Sequence, residues 1–132
     1  RASIAGDLKA QNNLAYMYEH GLGVQKDDSL AQKYYEKAAK AGLVEAQLNL
    51  GLFFEKDPTT SNMQKAYYWY KKAAQNEDRV AQNNLAKLYY FGNGVEEDLQ
   101  KAFFWFQEAA WAGDALAQYN LAMMYYKSEH VS

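Results

Sequence analysis

The chain contains two imidazoles, His20 and His130, and an imidazole near neutral pH can shuttle protons or hold a metal. They fall near opposite ends of the chain, and neither sits in a ligand spacing such as H-E-x-x-H. Cysteine is absent, which removes disulfides, thiolate ligands and a thiol nucleophile together. No G-x-S-x-G elbow occurs. The turns Gly21-Leu22-Gly23 and Gly92-Asn93-Gly94 lack both the P-loop lysine and the preceding strand of a nucleotide site. The acidic clusters Asp27-Asp28 and Glu96-Glu97-Asp98 precede helical patterns, where carboxylates cap the first turn and favour its dipole. No catalytic residue, metal ligand or cofactor is assigned.

Recognition chemistry is better represented. Asn13, Asn49, Asn84 and Asn120 recur at one place in a repeating pattern. An amide both donates and accepts, so a row of them can hold the backbone of an extended peptide whatever its sequence. The alternative is structural, an amide satisfying a neighbouring helix. Because each unit repeats the residue, as a packing rule would, the structural alternative is favoured. Gln11, Gln47, Gln82 and Gln118 look more structural still.

These side chains are positioned by a repeat. Ala10-Gln11-Asn12-Asn13-Leu14-Ala15 returns from Ala46, Ala81 and Ala117, at intervals of 36, 35 and 36 residues. Such a period marks a solenoid, in which each unit buries its apolar face against its neighbours. In the first helix of each unit, Ala10, Leu14, Met17 and Tyr18 form a stripe of 3.6-residue period, repeated as Ala46, Leu50, Phe53, Phe54 and onward. The next residue is small (Ala15, Gly51, Ala86, Ala122) and admits a second helix closely. Asp27, Asn62 and Asp98 are the expected N-caps of the second helices. Those helices alternate small and large residues, as in Ala66, Trp69, Tyr70, Ala73 and Ala74. Gly42 and Gly113 fit a left-handed helix C-terminus, with Gly6 as the same feature of a preceding unit and Asn76 a substitute in the second. The predicted helices are 8–20, 28–41, 45–55, 63–75, 80–91, 99–111 and 116–127.

The motifs A-Q-x-N-L-[AG], G-x-G-V-x-x-D, K-A-x-x-W-[YF] from Lys65 and Lys101, and A-A-x-x-G resemble the Sel1-like repeat, one of the tetratricopeptide-like α-solenoids. The resemblance spans essentially the whole chain, except for the second turn, Asp57-Pro58-Thr59-Thr60-Ser61, and the unfinished last unit. It implies an all-α, right-handed α-α superhelix. The domain expectation is one array over 1–132: the end of a preceding repeat over 1–9, repeats over 10–45, 46–80 and 81–116, and a partial repeat over 117–132. The resemblance further implies an adaptor that holds other proteins, in bacterial envelope, secreted or host-interaction settings or in endoplasmic reticulum quality control. It also implies that the first helices line the concave side. Their off-stripe residues are then the contact candidates by position: Asn12, Tyr16, Glu19 and His20, then Leu48, Leu52, Glu55 and Lys56, then Asn83, Lys87, Tyr90 and Phe91, then Tyr119, Met123, Tyr126 and Lys127. All but His20, Glu55, Lys56 and Lys127 are taken as partner-binding. That set shifts from polar to aromatic along the array, and rigid aromatic rings suit a protein contact.

Composition narrows the partner. The chain is 49% hydrophobic and 16% aromatic with a net charge of −2, which argues against disorder. Lysines are interleaved with acids, so no basic block attracts nucleic acid. No apolar run approaches the roughly 18 residues a membrane helix needs. The chain begins at Arg1 inside a repeat and reads as a piece of a longer protein. The leading functional reading is a non-catalytic scaffold for a protein or peptide. A self-assembling array, joined through open ends, comes second; an enzyme or small-molecule binder is third.

Overall fold

The computed structural model describes residues 2–131, with side chains described over 6–127. Among the described residues seven helices follow one another: α1 (Ala2–His20), α2 (Asp28–Lys40), α3 (Val44–Glu55), α4 (Thr60–Gln75), α5 (Arg79–Phe91), α6 (Leu99–Trp111) and α7 (Ala115–Val131). Among the described residues there is no strand. Each helix packs on the one before and the one after, and α1 also touches α3. The result is an α-solenoid of helix pairs, as the period predicts.

Local chemistry explains most helix starts. The Asp27 carboxylate accepts from the Leu30 N–H at 3.1 Å, and that of Asp98 from the Lys101 N–H at 3.0 Å. Asp78 and Asp114 cap α5 and α7 in the same way, at 2.8 and 2.9 Å. The expectation for Asn62 needs correcting. Thr59, extended behind Pro58, is the cap of α4, and its hydroxyl accepts from the Asn62 N–H at 3.1 Å. Proline holds the chain out of the helix just before this point, so α4 starts ahead of the predicted residue. The Asn62 side chain turns back to donate to the Asp57 carbonyl at 2.7 Å.

The C-termini bring two more corrections. Gly42 and Gly113 take left-handed backbone as expected, but so does Glu77, at φ 68°, while Asn76 stays at φ −95°. The register is set by the backbone: Glu77 N–H reaches the Ala74 carbonyl and Asp78 N–H that of Ala73, repeating the bonds that Gly42 and Leu43 make to Ala39 and Ala38. Gly6, expected to end a preceding helix, lies inside α1, which runs back to Ala2. A single interior glycine costs a helix only about 1 kcal/mol relative to alanine.

Packing follows the small-large alternation. Tyr35 and Tyr70 are fully buried, and Gly51 is what admits Tyr70: a Cβ there would stand 2.5 Å from Cε1 of the ring. In the middle of the array Ala81, Leu85, Leu88 and Tyr89 are all buried. The first and last stripes are less covered. Leu14, Met17, Leu121 and Met124 are half-buried, and Ala10 and Tyr125, expected in the core, are exposed. The glutamine row is structural, as favoured: Gln47, Gln82 and Gln118 donate to the Ala39, Ala74 and Ala110 carbonyls, each at 3.2 Å. Each thereby occupies a carbonyl near the end of the preceding helix.

Candidate functional site

The odd-numbered helices stand side by side, and the residues between them follow one register. Asn49 Nδ2 donates to Asn12 Oδ1 at 3.1 Å, and Asn120 Nδ2 to Asn83 Oδ1 at 3.1 Å. Lys56 Nζ meets Glu19 Oε2 at 2.9 Å, and Lys127 Nζ donates to the Tyr90 hydroxyl at 3.0 Å. Each pair spans one repeat plus one residue. The first helix therefore reaches its counterpart in the next unit at two fixed heights. Asn49 and Asn120 of the proposed peptide ladder are thus used between repeats. Asn84 bonds the Tyr70 hydroxyl instead, and the unit before it carries Leu48 at the place where Asn12 and Asn83 stand.

Burial corrects three of the candidate contacts. Asn12, Asn83 and Glu19 are only 2%, 3% and 7% exposed. The two asparagines face the next repeat, and Glu19 is enclosed by three partners. Its Oε1 accepts from the Tyr35 hydroxyl at 2.7 Å and lies 3.6 Å from His20 Nε2, while Oε2 pairs with Lys56. A buried carboxylate is tolerable only when paired and hydrogen-bonded in this way. Glu55 repeats the arrangement, accepting from the Tyr70 hydroxyl. Burial first, and then the carboxylate bond, pushes the Tyr35 and Tyr70 hydroxyls well above the usual phenol range. Tyr89 is pushed up too, by burial and then by the bond it shares with Tyr67 at 2.9 Å.

The remaining candidates reach the surface. Tyr16 and Leu52 are exposed, and Leu48 and Tyr90 are half-buried. Tyr126 is exposed beside the others on α7. The structure gathers six candidates and near neighbours into one feature between α5 and α7. This groove of about 290 Å³ is lined by Lys87, Tyr90, Phe91, Tyr119, Met123 and Lys127, over a floor that includes Phe106, Asn120 and Met124. Phe91 is 70% and Tyr119 64% exposed, unusual for rings of that size. Tyr90 and Phe91 meet edge to face at 4.9 Å between centroids, which fixes the wall.

Lys127, a candidate by position though not among the twelve residues taken as partner-binding, lines the groove. It holds the place that Lys56 holds two units earlier. His20 lies beside Tyr16, ring centroids 4.2 Å apart; the side chain of His130 lies outside the described residues. Among the described residues, no three His, Asp or Glu side chains are grouped as a metal site. No helix of the described residues is long and apolar enough to cross a membrane.

Paired helices at a fixed period, interlocked by amide and glutamine rows and presenting an open groove, define a helical repeat scaffold. The profile of the Sel1 repeat matches residues 8–43, 44–78, 79–114 and 115–132, and the chain belongs to that family. It is 40% identical over 88 residues to the chitin synthase regulator SKT5 of Saccharomyces cerevisiae, a stretch covering 64% of this chain and 13% of the regulator. Among solved structures it resembles c5321, a protective antigen of uropathogenic Escherichia coli with an SLR fold. The TM-score is 0.86 at 35% identity, over 96% of this chain and 27% of that one. A Sel1 repeat protein from Oxalobacter formigenes matches with a TM-score of 0.77 at 32% identity, over 89% of this chain and 90% of its own.

Proposed function

We propose that this array is a non-catalytic scaffold that holds a protein or peptide on the concave face formed by α1, α3, α5 and α7. The observation that carries the reading is the groove between α5 and α7, whose lining brings the exposed rings of Phe91 and Tyr119 together with Lys87 and Lys127. Exposed aromatic rings on rigid helices form contact area at low entropic cost. The yeast relative is named a regulator of an enzyme, which accords with a role in contacting other proteins. A repeat fold sets the geometry of such a surface, and its side chains set the specificity. The proposed contacts are Tyr16, Leu48, Leu52, Lys87, Tyr90, Phe91, Tyr119, Met123, Tyr126 and Lys127.

The test is affinity capture with the parent protein, unaltered and with Phe91, Tyr119 and Tyr126 replaced by serine. The variant is expected to lose its partner while its helical circular dichroism and its mass in solution stay unchanged. Capture at unchanged affinity would move the site to the face of the even-numbered helices or to the turns.

A further inference from the structure

We propose that the α5–α7 groove takes an acidic peptide segment carrying one bulky apolar side chain, an inference that rests on the scaffold reading above. The molecule itself shows what a lysine at this register accepts. Between α1 and α3, Lys56 meets the Glu19 carboxylate at 2.9 Å. Between α5 and α7, Tyr90 stands in the place of that glutamate, and Lys127 donates to its neutral hydroxyl at 3.0 Å. A phenol satisfies one of the three donors of an ammonium and none of its charge. The same lysine also lies over the Tyr90 ring, 5.6 Å from the centroid, which holds the ammonium at the groove wall.

Lys87 adds a second positive charge to the lining and has no ion-pair partner among the described residues. No described residue of the lining is acidic. The groove is therefore an apolar slot with a cation from each helix. Carboxylates on the partner complete the pairs that Glu19 completes internally in the first half of the array. The rings of Phe91 and Tyr119, with Met123 on the same lining, fit one large apolar side chain. Charge complementarity of this kind sets partner choice and encounter rate more than it sets raw affinity.

The probes are short fluorescent peptides with amidated C-termini, so that charge comes only from side chains. One carries Phe flanked by Glu, and matched versions replace the Glu residues with Gln or Lys, or the Phe with Ala. Fluorescence anisotropy with the repeat array should rank the Glu–Phe probe first, and its affinity should fall as salt rises. Lys87→Glu with Lys127→Glu should weaken that probe by about tenfold and turn the preference toward the Lys probe. Circular dichroism checks that the doubly substituted array is folded. The proposal is overturned if no probe binds, if the Glu probe binds no tighter than the Gln probe, or if charge reversal leaves the ranking unchanged. Phe91→Ser with Tyr119→Ser separates the two levels. If it abolishes capture by the parent protein while charge reversal does nothing, the acidic assignment alone fails. If it leaves capture intact, the groove is not the site and the scaffold reading loses its address. A mass in solution that rises with concentration and is suppressed by charge reversal would make the occupant a second copy, which also overturns the proposal.

Discussion

Between α1 and α3, Lys56 finds a carboxylate at 2.9 Å; between α5 and α7, Lys127 at the same register finds a phenol at 3.0 Å. The amide pairs beneath them, Asn12 with Asn49 and Asn83 with Asn120, are alike to the ångström. The two halves thus share their spacing and differ in what fills it. In the first half Glu19 is buried among Tyr35, Lys56 and His20, and the surface is closed by its own charges. In the second half Tyr90 replaces the glutamate and Phe106 replaces the tyrosine beneath it, so the hydroxyl-to-carboxylate bond disappears and an aromatic groove opens. The two exchanges go together for a physical reason. A buried carboxylate without its donor, or a donor without its carboxylate, leaves an unsatisfied group.

The largest expected effect tests how far packing differs between the middle and the later part of the array. Trp69 is 8% exposed, and Trp69→Ala should cost about 3–5 kcal/mol in urea denaturation. Trp105, at the equivalent place in α6, is only half-buried, and its replacement by Ala should cost about half as much. Equal costs would show that the two pairs are packed alike.

Next comes the polar seal of the first half. Tyr35→Phe removes a donor from a buried carboxylate and should destabilise by about 1–3 kcal/mol. It should also change the response to alkali. The folded-state hydroxyls of Tyr35 and Tyr70 titrate above the unfolded value of about 10. Their contribution is therefore complete below that pH and is lost as pH rises beyond it, because the unfolded chain releases the phenolic protons first. Unfolding followed against pH should show this alkaline loss and show less of it in Tyr35→Phe. Phe106 has no proton to give, so the α5–α6 pair contributes nothing at that position. An unchanged alkaline profile in the variant would break the comparison.

A smaller contrast lies in the turns. Gly23 and Gly94 both have left-handed backbone, at φ 73° and 77°. A Cβ on Gly94 would fall against the Met63 carbonyl at the start of α4, whereas one on Gly23 meets only Met17 Cε at 3.8 Å. Gly23→Ala should cost the conformational strain alone, about 1–2 kcal/mol, and Gly94→Ala more than that. Matching melting curves for the two variants would mean that the turn of the third unit is not wedged onto its neighbour.

The period, the helix pairs and the glutamine row were legible because each rests on a spacing repeated along the chain. The Asp27 and Asp98 caps were legible because the turn before them is regular; Asn62 was misjudged where Pro58 and Thr59 replace that turn. The six-residue groove was legible only in part. Aromatic character at Tyr90, Phe91 and Tyr119 could be read from helical phase, but phase alone could not place Asn12, Asn83 and Glu19 in the interior. Their burial depends on how one repeat is stacked on the next, one residue out of step with the sequence period. Lys127 could be read as an off-stripe position, but not its bond to Tyr90, which belongs to another unit.

The smallest predicted effect has the opposite sign. Glu77 is the one non-glycine among the described residues with positive φ, 68°, and it stands where Gly42 and Gly113 end α2 and α6. Its position is dictated by the stacking of α4 on α5, which fixes the bonds from Glu77 and Asp78 to the Ala74 and Ala73 carbonyls. A side chain with a Cβ is strained in that conformation, whereas glycine adopts it freely. Glycine also raises the entropy of the unfolded chain, which takes back part of the gain. Glu77→Gly should therefore stabilise the array by about 0.5–1 kcal/mol. The midpoint in urea should rise with an unchanged slope, since no new surface is buried. A lower midpoint would mean that the Glu77 side chain contributes more than its backbone strain costs. The junction between the two halves would then be held by a charge after all.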